Sequence, residues 1–340
     1  MYLFRTLLTQ LFCRDQNMSS NSPTISFKLI TDALLDNSKP FSPKYLHYFS
    51  DINSEDLKTL TGIWPQVDAE RRFALLKDLQ DLQDSDTLLS HEEIARLALR
   101  DENPRVRSQA INLLWEYDDF HLVPIFCHMS QHDDDVRVRA SAVSALGKYV
   151  LMGEREEIPT SLLNEIIRIL FKIITEYAED ILRRAALESL SYSSDERVRP
   201  LIKDALKKTD TEWLTSALVA MGRNLDKCWE KPVISFLDHK NPQIQISAIQ
   251  AAGELEIKSA RQLLINLTHE QSIDSDTLRE TIWALSKIGG EETREVLEDM
   301  LEKSEESDEI DMLEDALENL TFTEGLHSFD IFNGDNSVEL

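Results

Sequence analysis

Imidazole beside carboxylate is a donor pairing that holds iron and related metals. The chain contains it twice, as His91-Glu92 and His269-Glu270. The first pair lies inside Ser90-His91-Glu92-Glu93, a helix-start pattern. There the Ser90 hydroxyl accepts from the Glu93 N–H and the Glu93 carboxylate returns to the Ser90 N–H. The second pair precedes Ile273-Asp274-Ser275-Asp276, in a turn. His128 and His132 stand four apart and share a helical face, but Met129, Ser130 and Gln131 between them lack the glutamate of an HExxH site. They fall at a helix end, where imidazolium is electrostatically favoured. His47, His121, His239 and His327 are isolated in sequence. There is no Gly-rich phosphate loop, GxSxG elbow or CxxC pair. These residues predict no catalytic, metal or cofactor site.

What would carry any site is a repeat. The segments VRSQAINLLW (106–115), VRVRASAVSALG (136–147), LRRAALESLS (182–191), WLTSALVAMG (213–222) and IQISAIQAAG (244–253) align without gaps. Their central small residues are Ala110, Ala142, Ala186, Ala217 and Ala248, and LRETIWALSKIG (278–289) adds Thr281. The steps are 32, 44, 31, 31 and 33 residues. A fixed period in the range of about 20–50 residues marks a stack of units, none of which buries its apolar face alone. The prediction is an all-α fold, a right-handed α-solenoid of about seven helix pairs, each an A helix followed by a B helix.

Local signals place the helices. Asn103-Pro104 and Asn241-Pro242 put a capping side chain before a first-turn proline, and Ser42-Pro43 does so near the N-terminus. The predicted organisation is an extension over 1–23, a helical cap over 24–65, repeats over 66–304, a closing helix over 305–320 and an acidic tail over 321–340. Ile310, Leu313, Leu317 and Leu320 form the inward face of the closing helix. The 44-residue step adds length in the turn and B helix of LMGEREEIPTSLLNEIIRILFKIITE, an insertion that maps to one face of a stack. In residues 1–17, Phe4, Leu7, Leu8, Leu11 and Phe12 share a face, and Met18 opens a polar stretch that reads as an ordinary start; the 1–17 segment is expected to be an extension without a structural role.

The formal net charge is −26, and residues 291–340 hold 18 acidic side chains against Arg294 and Lys303. Nucleic acid is bound by neutralising phosphates with Lys and Arg, so it is excluded as an expected partner, and a protein with a basic surface suits the chain better. Glu305, Glu306, Asp308 and Glu309 are the candidate contacts, alongside a solubilising role for the acidic end. Cys13, Cys127 and Cys228 are few and far apart, which predicts a reducing, cytoplasmic setting without disulfides. No run reaches the roughly 18 apolar residues of a membrane span. Trp115, Trp213 and Trp283 fall within A-helix signatures and are expected in the core. Trp229 begins a B helix and is the tryptophan expected at the surface as a partner contact.

The pattern VRxxAxxALG followed by a glycine turn and a second helix resembles the HEAT-repeat family, in the short-repeat subgroup named for its likeness to phycobilisome bilin lyases. It stands here as VRASAVSALG (138–147) and more loosely as WALSKIGGEETREVLEDML (283–301). The resemblance spans about 66–320 and implies a non-enzymatic scaffold that binds protein through a concave face of B helices. The alternative it leaves open is an accessory enzyme of the bilin-lyase type. It also implies a ladder between repeats, with Arg72, Arg107, Arg139 and Arg183 in the arginine position on helix A. Leu214, Gln245 and Leu278 depart from that pattern, so the ladder should stop midway. HEAT-like deoxyhypusine hydroxylases hold two irons on His-Glu pairs of successive repeats, more pairs than this chain has. HEAT-like DNA glycosylases need a basic groove, which the charge opposes.

Overall fold

The computed structural model describes residues 25–270 and 273–334, with side chains as far as 325. The proposed extension, the Met18 start and the end of the acidic tail lie outside the described residues. Among those residues all regular structure is helical, and none of the helices is long and apolar enough to cross a membrane. Two compact units divide between Ile94 and Ala95.

The first unit contains α1 (Phe27–Leu35), a 3₁₀ segment Pro43–Phe49, α2 (Ser54–Ile63) and α3 (Ala69–Ser85). Ser42-Pro43 thus starts a 3₁₀ helix rather than an α-helix. Ile30, Leu34, Phe49, Leu60, Leu76 and Leu79 are fully buried here, with Phe27 edge-on to Phe49 at 5.9 Å. Arg71 of α3 donates to the Ala33, Asp36 and Lys39 carbonyls at 3.0, 2.8 and 2.5 Å, supplying donors that the end of α1 lacks. Helix α4 (Glu92–Ala98) lies across the division. Just before it the Ser90 N–H donates to Ser50 Oγ at 3.0 Å.

The second unit is the solenoid. Its A helices are α5 (Pro104–Leu114), α7 (Val136–Glu154), α9 (Asp180–Leu190), α11 (Thr211–Asn224), α13 (Pro242–Glu254) and α15 (Ser275–Ile288). The B helices are α6 (Val123–His132), α8 (Thr160–Glu176), α10 (Val198–Leu206), α12 (Glu230–Ile234), α14 (Arg261–Thr268) and α16 (Glu291–Lys303), and α17 (Ser307–Gly334) follows. Asn103 and Asn241 cap as their sequence predicts, accepting from the Arg105 and Gln243 N–H at 2.9 and 3.0 Å. Asp135, Asp210 and Asp274 do the same for α7, α11 and α15. The Arg137 guanidinium and backbone N–H hold the Asp135 carboxyl down at about 2.

Small residues bring successive A helices together. Ala110, Ala142, Ala186, Ala217, Ala248 and Thr281 are all fully buried. Gly253 shows why size matters: a Cβ there would stand 2.9 Å from the Ala284 Cα of the next A helix, nearer than unstrained atoms approach.

The last helix differs from expectation. It continues past residue 320 to Gly334, and Arg294 of α16 pairs with Glu324 in the first added turn at 2.7 Å. Leu313, Ala316 and Leu320 are its buried residues, packed with Ile282 and Leu297, while Leu317 is only partly covered.

Candidate functional site: the groove beside the inserted helix

The extra residues of the long repeat lengthen α7 and α8. The two helices turn closely at Gly153, where a Cβ would sit 2.6 Å from Leu163 Cδ1. Leu163, Ile167 and Phe171 recur every fourth residue along one face of α8 and remain partly exposed. With Asn164 and Arg168 they form one wall of a groove of about 460 Å³. The turn between α9 and α10 supplies the other wall, through Ser193, Ser194, Asp195 and Arg197.

The charges of the groove are mostly satisfied from within. Ser193 Oγ donates to Glu154 Oε1 at 2.9 Å. Arg197 grips Asp195 through Nε and Nη2 at 2.9 and 2.5 Å, and this lowers the Asp195 carboxyl below the usual range. The Arg197 guanidinium also lies over the Phe171 ring at 4.0 Å. Arg168 is exposed and makes no ion pair among the described residues.

A smaller cavity of about 280 Å³ contains His128, His132, Arg100 and Arg107. The imidazoles face each other with centroids 4.8 Å apart. Among the described residues no group of three or more His, Cys, Asp or Glu side chains is placed to hold a metal. His91 is fully buried, with Nδ1 3.3 Å from Gln83 Oε1. His269 and Glu270 are exposed at the end of α14.

The four arginines predicted as a ladder meet different partners. Arg107 makes a two-point bond to Asp133 at 2.8 and 2.7 Å and also donates to the Asp101 carbonyl at 2.8 Å. Arg139 reaches Glu179 at 2.7 Å and the Asp133 carbonyl at 3.0 Å. Arg183 donates to the Ile174 carbonyl at 3.2 Å and to Asp180 of its own helix. Arg72, in the first unit, is buried and donates to the Trp64 carbonyl at 3.2 Å. Gln245 serves in the arginine position by donating to the Leu237 carbonyl at 2.9 Å. Replacing Arg107 with Ala should lower stability by about 2 kcal/mol, since charged hydrogen bonds of a largely buried carboxylate are lost. The loss should shrink when Asp133→Ala is added, as a urea double-mutant cycle would show.

A second set of contacts joins neighbouring repeats at a position the sequence marks. Six residues beyond each central small residue stand Glu116, Lys148, Tyr192, Arg223, Glu254 and Lys287. Lys148 reaches the Trp115 carbonyl and Asp118, each at 2.7 Å. Arg223 lies over the Tyr192 ring at 5.1 Å, and Lys287 pairs with Glu254 at 2.7 Å. Charged residues stand at five of these six positions, with Tyr192 at the other.

Two tryptophan expectations are corrected. Trp229 is 1% exposed, because the 3₁₀ turn Lys227–Trp229 swings it inward, and its Nε1 donates to Asn224 Oδ1 at 2.9 Å. It is not a surface contact. Trp115 is 39% exposed rather than core, lying at the end of α5 with Lys148 over its ring. Trp213 is buried at 4% and Trp283 partly so. Glu305, Glu306 and Asp308 are exposed at the start of α17, and Glu309 accepts from Ser304 Oγ at 2.8 Å. Acids there also offset the helix dipole.

The cysteines differ in access. Burial pushes the Cys127 thiol up to about 12, whereas Cys228 is exposed. Iodoacetamide should therefore label Cys228 in the native protein and leave Cys127 unmodified until denaturant is added. Peptide mass mapping reads both.

The HEAT-repeat sequence model matches residues 92–160 and 230–318, which take in α4–α7 and α12–α16. These segments are HEAT repeats. Solved structures similar to the chain include the Escherichia coli protein YibA, at 17% identity and TM-score 0.42, covering 90% of this chain and 99% of that one. The CpcE–CpcF complex of phycocyanin lyase from Nostoc sp. PCC7120 is 18% identical with TM-score 0.45, over 67% of this chain and 94% of that one. Human deoxyhypusine hydroxylase in complex with glycerol is 14% identical with TM-score 0.33, over 77% of this chain and 95% of that one. No curated protein sequence matches the chain. The groove falls between the two matched segments, where the 44-residue step adds to α8.

Proposed function

We propose that the HEAT repeats work as a non-enzymatic scaffold that binds protein through the face formed by the B helices. The observation that carries this reading is the groove beside α8, with its partly exposed stripe of Leu163, Ile167 and Phe171. Stacked repeats support it, because each unit adds side chains to one extended surface. A partner with basic residues suits the acidic end around Glu305, Glu306, Asp308 and Glu309, where attraction would weaken with salt.

Pull-down from native lysate with the full chain, followed by cross-linking and mass spectrometry, tests the reading. A stoichiometric partner cross-linked to α6, α8, α10, α12, α14 or α16 supports it. Cross-links confined to the A helices, or no retained partner, would overturn it. A variant carrying Glu305→Gln, Glu306→Gln and Asp308→Asn should retain the partner less well at low salt than the unaltered chain.

A further inference from the structure

We infer that the groove beside α8 docks a short acidic segment of a partner protein, with a carboxylate on Arg168 and apolar side chains on Leu163, Ile167 and Phe171. This rests on the scaffold reading and names the chemistry of one segment that the scaffold would take.

The argument begins with charge. The chain carries −26 overall, and its repeat arginines are largely engaged: Arg107 with Asp133, Arg139 with Glu179, Arg184 with Glu212, Arg197 with Asp195, Arg223 with Glu188. Arg168, like Arg100 and Arg155, is exposed and without an ion pair among the described residues, and it is the one of the three that lines this groove. The acids that line the groove with it have partners of their own: Glu154 accepts from Ser193, and Asp195 holds Arg197. Glu165 lies three residues earlier on α8 and makes no ion pair with Arg168. A guanidinium left open in this setting can take a carboxylate in two-point geometry.

Shape and polarity narrow the occupant. One open cation cannot neutralise a run of phosphates, so a nucleic acid strand is a poor fit. The floor is apolar for two turns of helix, which calls for aliphatic or aromatic side chains next to the acid. Asn164 and Ser194 are exposed at the two walls and can hydrogen-bond a peptide backbone. The volume of about 460 Å³ falls within the span of about 300–1,000 Å³ typical of sites that hold a ligand. The wall made by Arg197 is preset, since its guanidinium is fixed between Asp195 and Phe171.

The test pans a phage-displayed library of random dodecapeptides on the full chain and on its Arg168→Glu form, with helical circular dichroism of both as a fold control. Enriched peptides should place Asp or Glu beside Leu, Ile or Phe. A fluorescein-labelled consensus peptide should lose about tenfold or more in affinity on Arg168→Glu by anisotropy. Replacing the peptide's acid with Lys should restore binding to that variant. Arg168→Gln gives an intermediate loss and guards against an effect of the new charge on folding. Equal binding to all three proteins, or enrichment of basic peptides, overturns the inference. If panning yields nothing while the lysate pull-down keeps a partner on the B helices, the acidic-segment inference falls and the scaffold reading stands. If both fail, both fall.

Discussion

Trp229→Ala should remove about 4 kcal/mol of stability from the repeats around α11–α13, the range found when a buried aromatic is truncated. The ring is 1% exposed, fills the space between the end of α11 and α12, and ends in a hydrogen bond to Asn224 at 2.9 Å. Truncation leaves both a cavity and an unpaired amide oxygen. Repeats couple mainly to their neighbours, so the loss should be local rather than global. Hydrogen exchange should show faster amides in α11, α12 and α13, with α5–α7 unchanged. Trp115→Ala, at a position 39% exposed, should cost about 1 kcal/mol or less. Equal losses from the two substitutions would contradict the placement of both rings.

The second large effect is a pH dependence at His91. The imidazole is fully buried, and burial holds its pKa at about 4; Asp51 pulls it up and His47 pushes it down. Between pH 6.5 and 4 the unfolded chain takes up a proton at this position that the folded chain refuses. The stabilisation is therefore complete above about pH 6.5 and is lost as pH falls toward 4, by about 3 kcal/mol in all. His91→Gln should remove that slope. Urea midpoints at pH 7.5 and 4.5 for both proteins measure the difference, and parallel curves would show that His91 does not titrate differently on folding.

The pattern that repeats at steps of 31–33 residues, with one step of 44, was legible because stacking demands it. Ala110, Ala142, Ala186, Ala217, Ala248 and Thr281 must all be small where one A helix meets the next, and a constraint imposed at each step prints a period. Helix starts were legible for a similar reason, since Asn103 and Asn241 act on N–H groups two residues away. The pairing of His91 with Gln83 was not legible, because it joins α3 to α4 through packing rather than through sequence neighbours.

The candidate groove was legible only in outline. The 44-residue step showed that length had been added in the turn and the B helix. The Asp195-x-Arg197 pair is local, like Asp135-x-Arg137, but that Arg168 and Phe171 of α8 line a groove with it depends on the packing of α8 beside the α9–α10 turn, which no spacing encodes. The two tryptophans make the same point: a helix-start position suggested exposure for Trp229, and a signature position suggested burial for Trp115. The sequence by itself determined the repeat, the helical class and the caps, because these arise from contacts that recur or lie within one turn. The tertiary structure alone decided which side chains face the groove and which tryptophan is core, because those follow from how the helices pack and from long-range contacts such as Ser193 with Glu154.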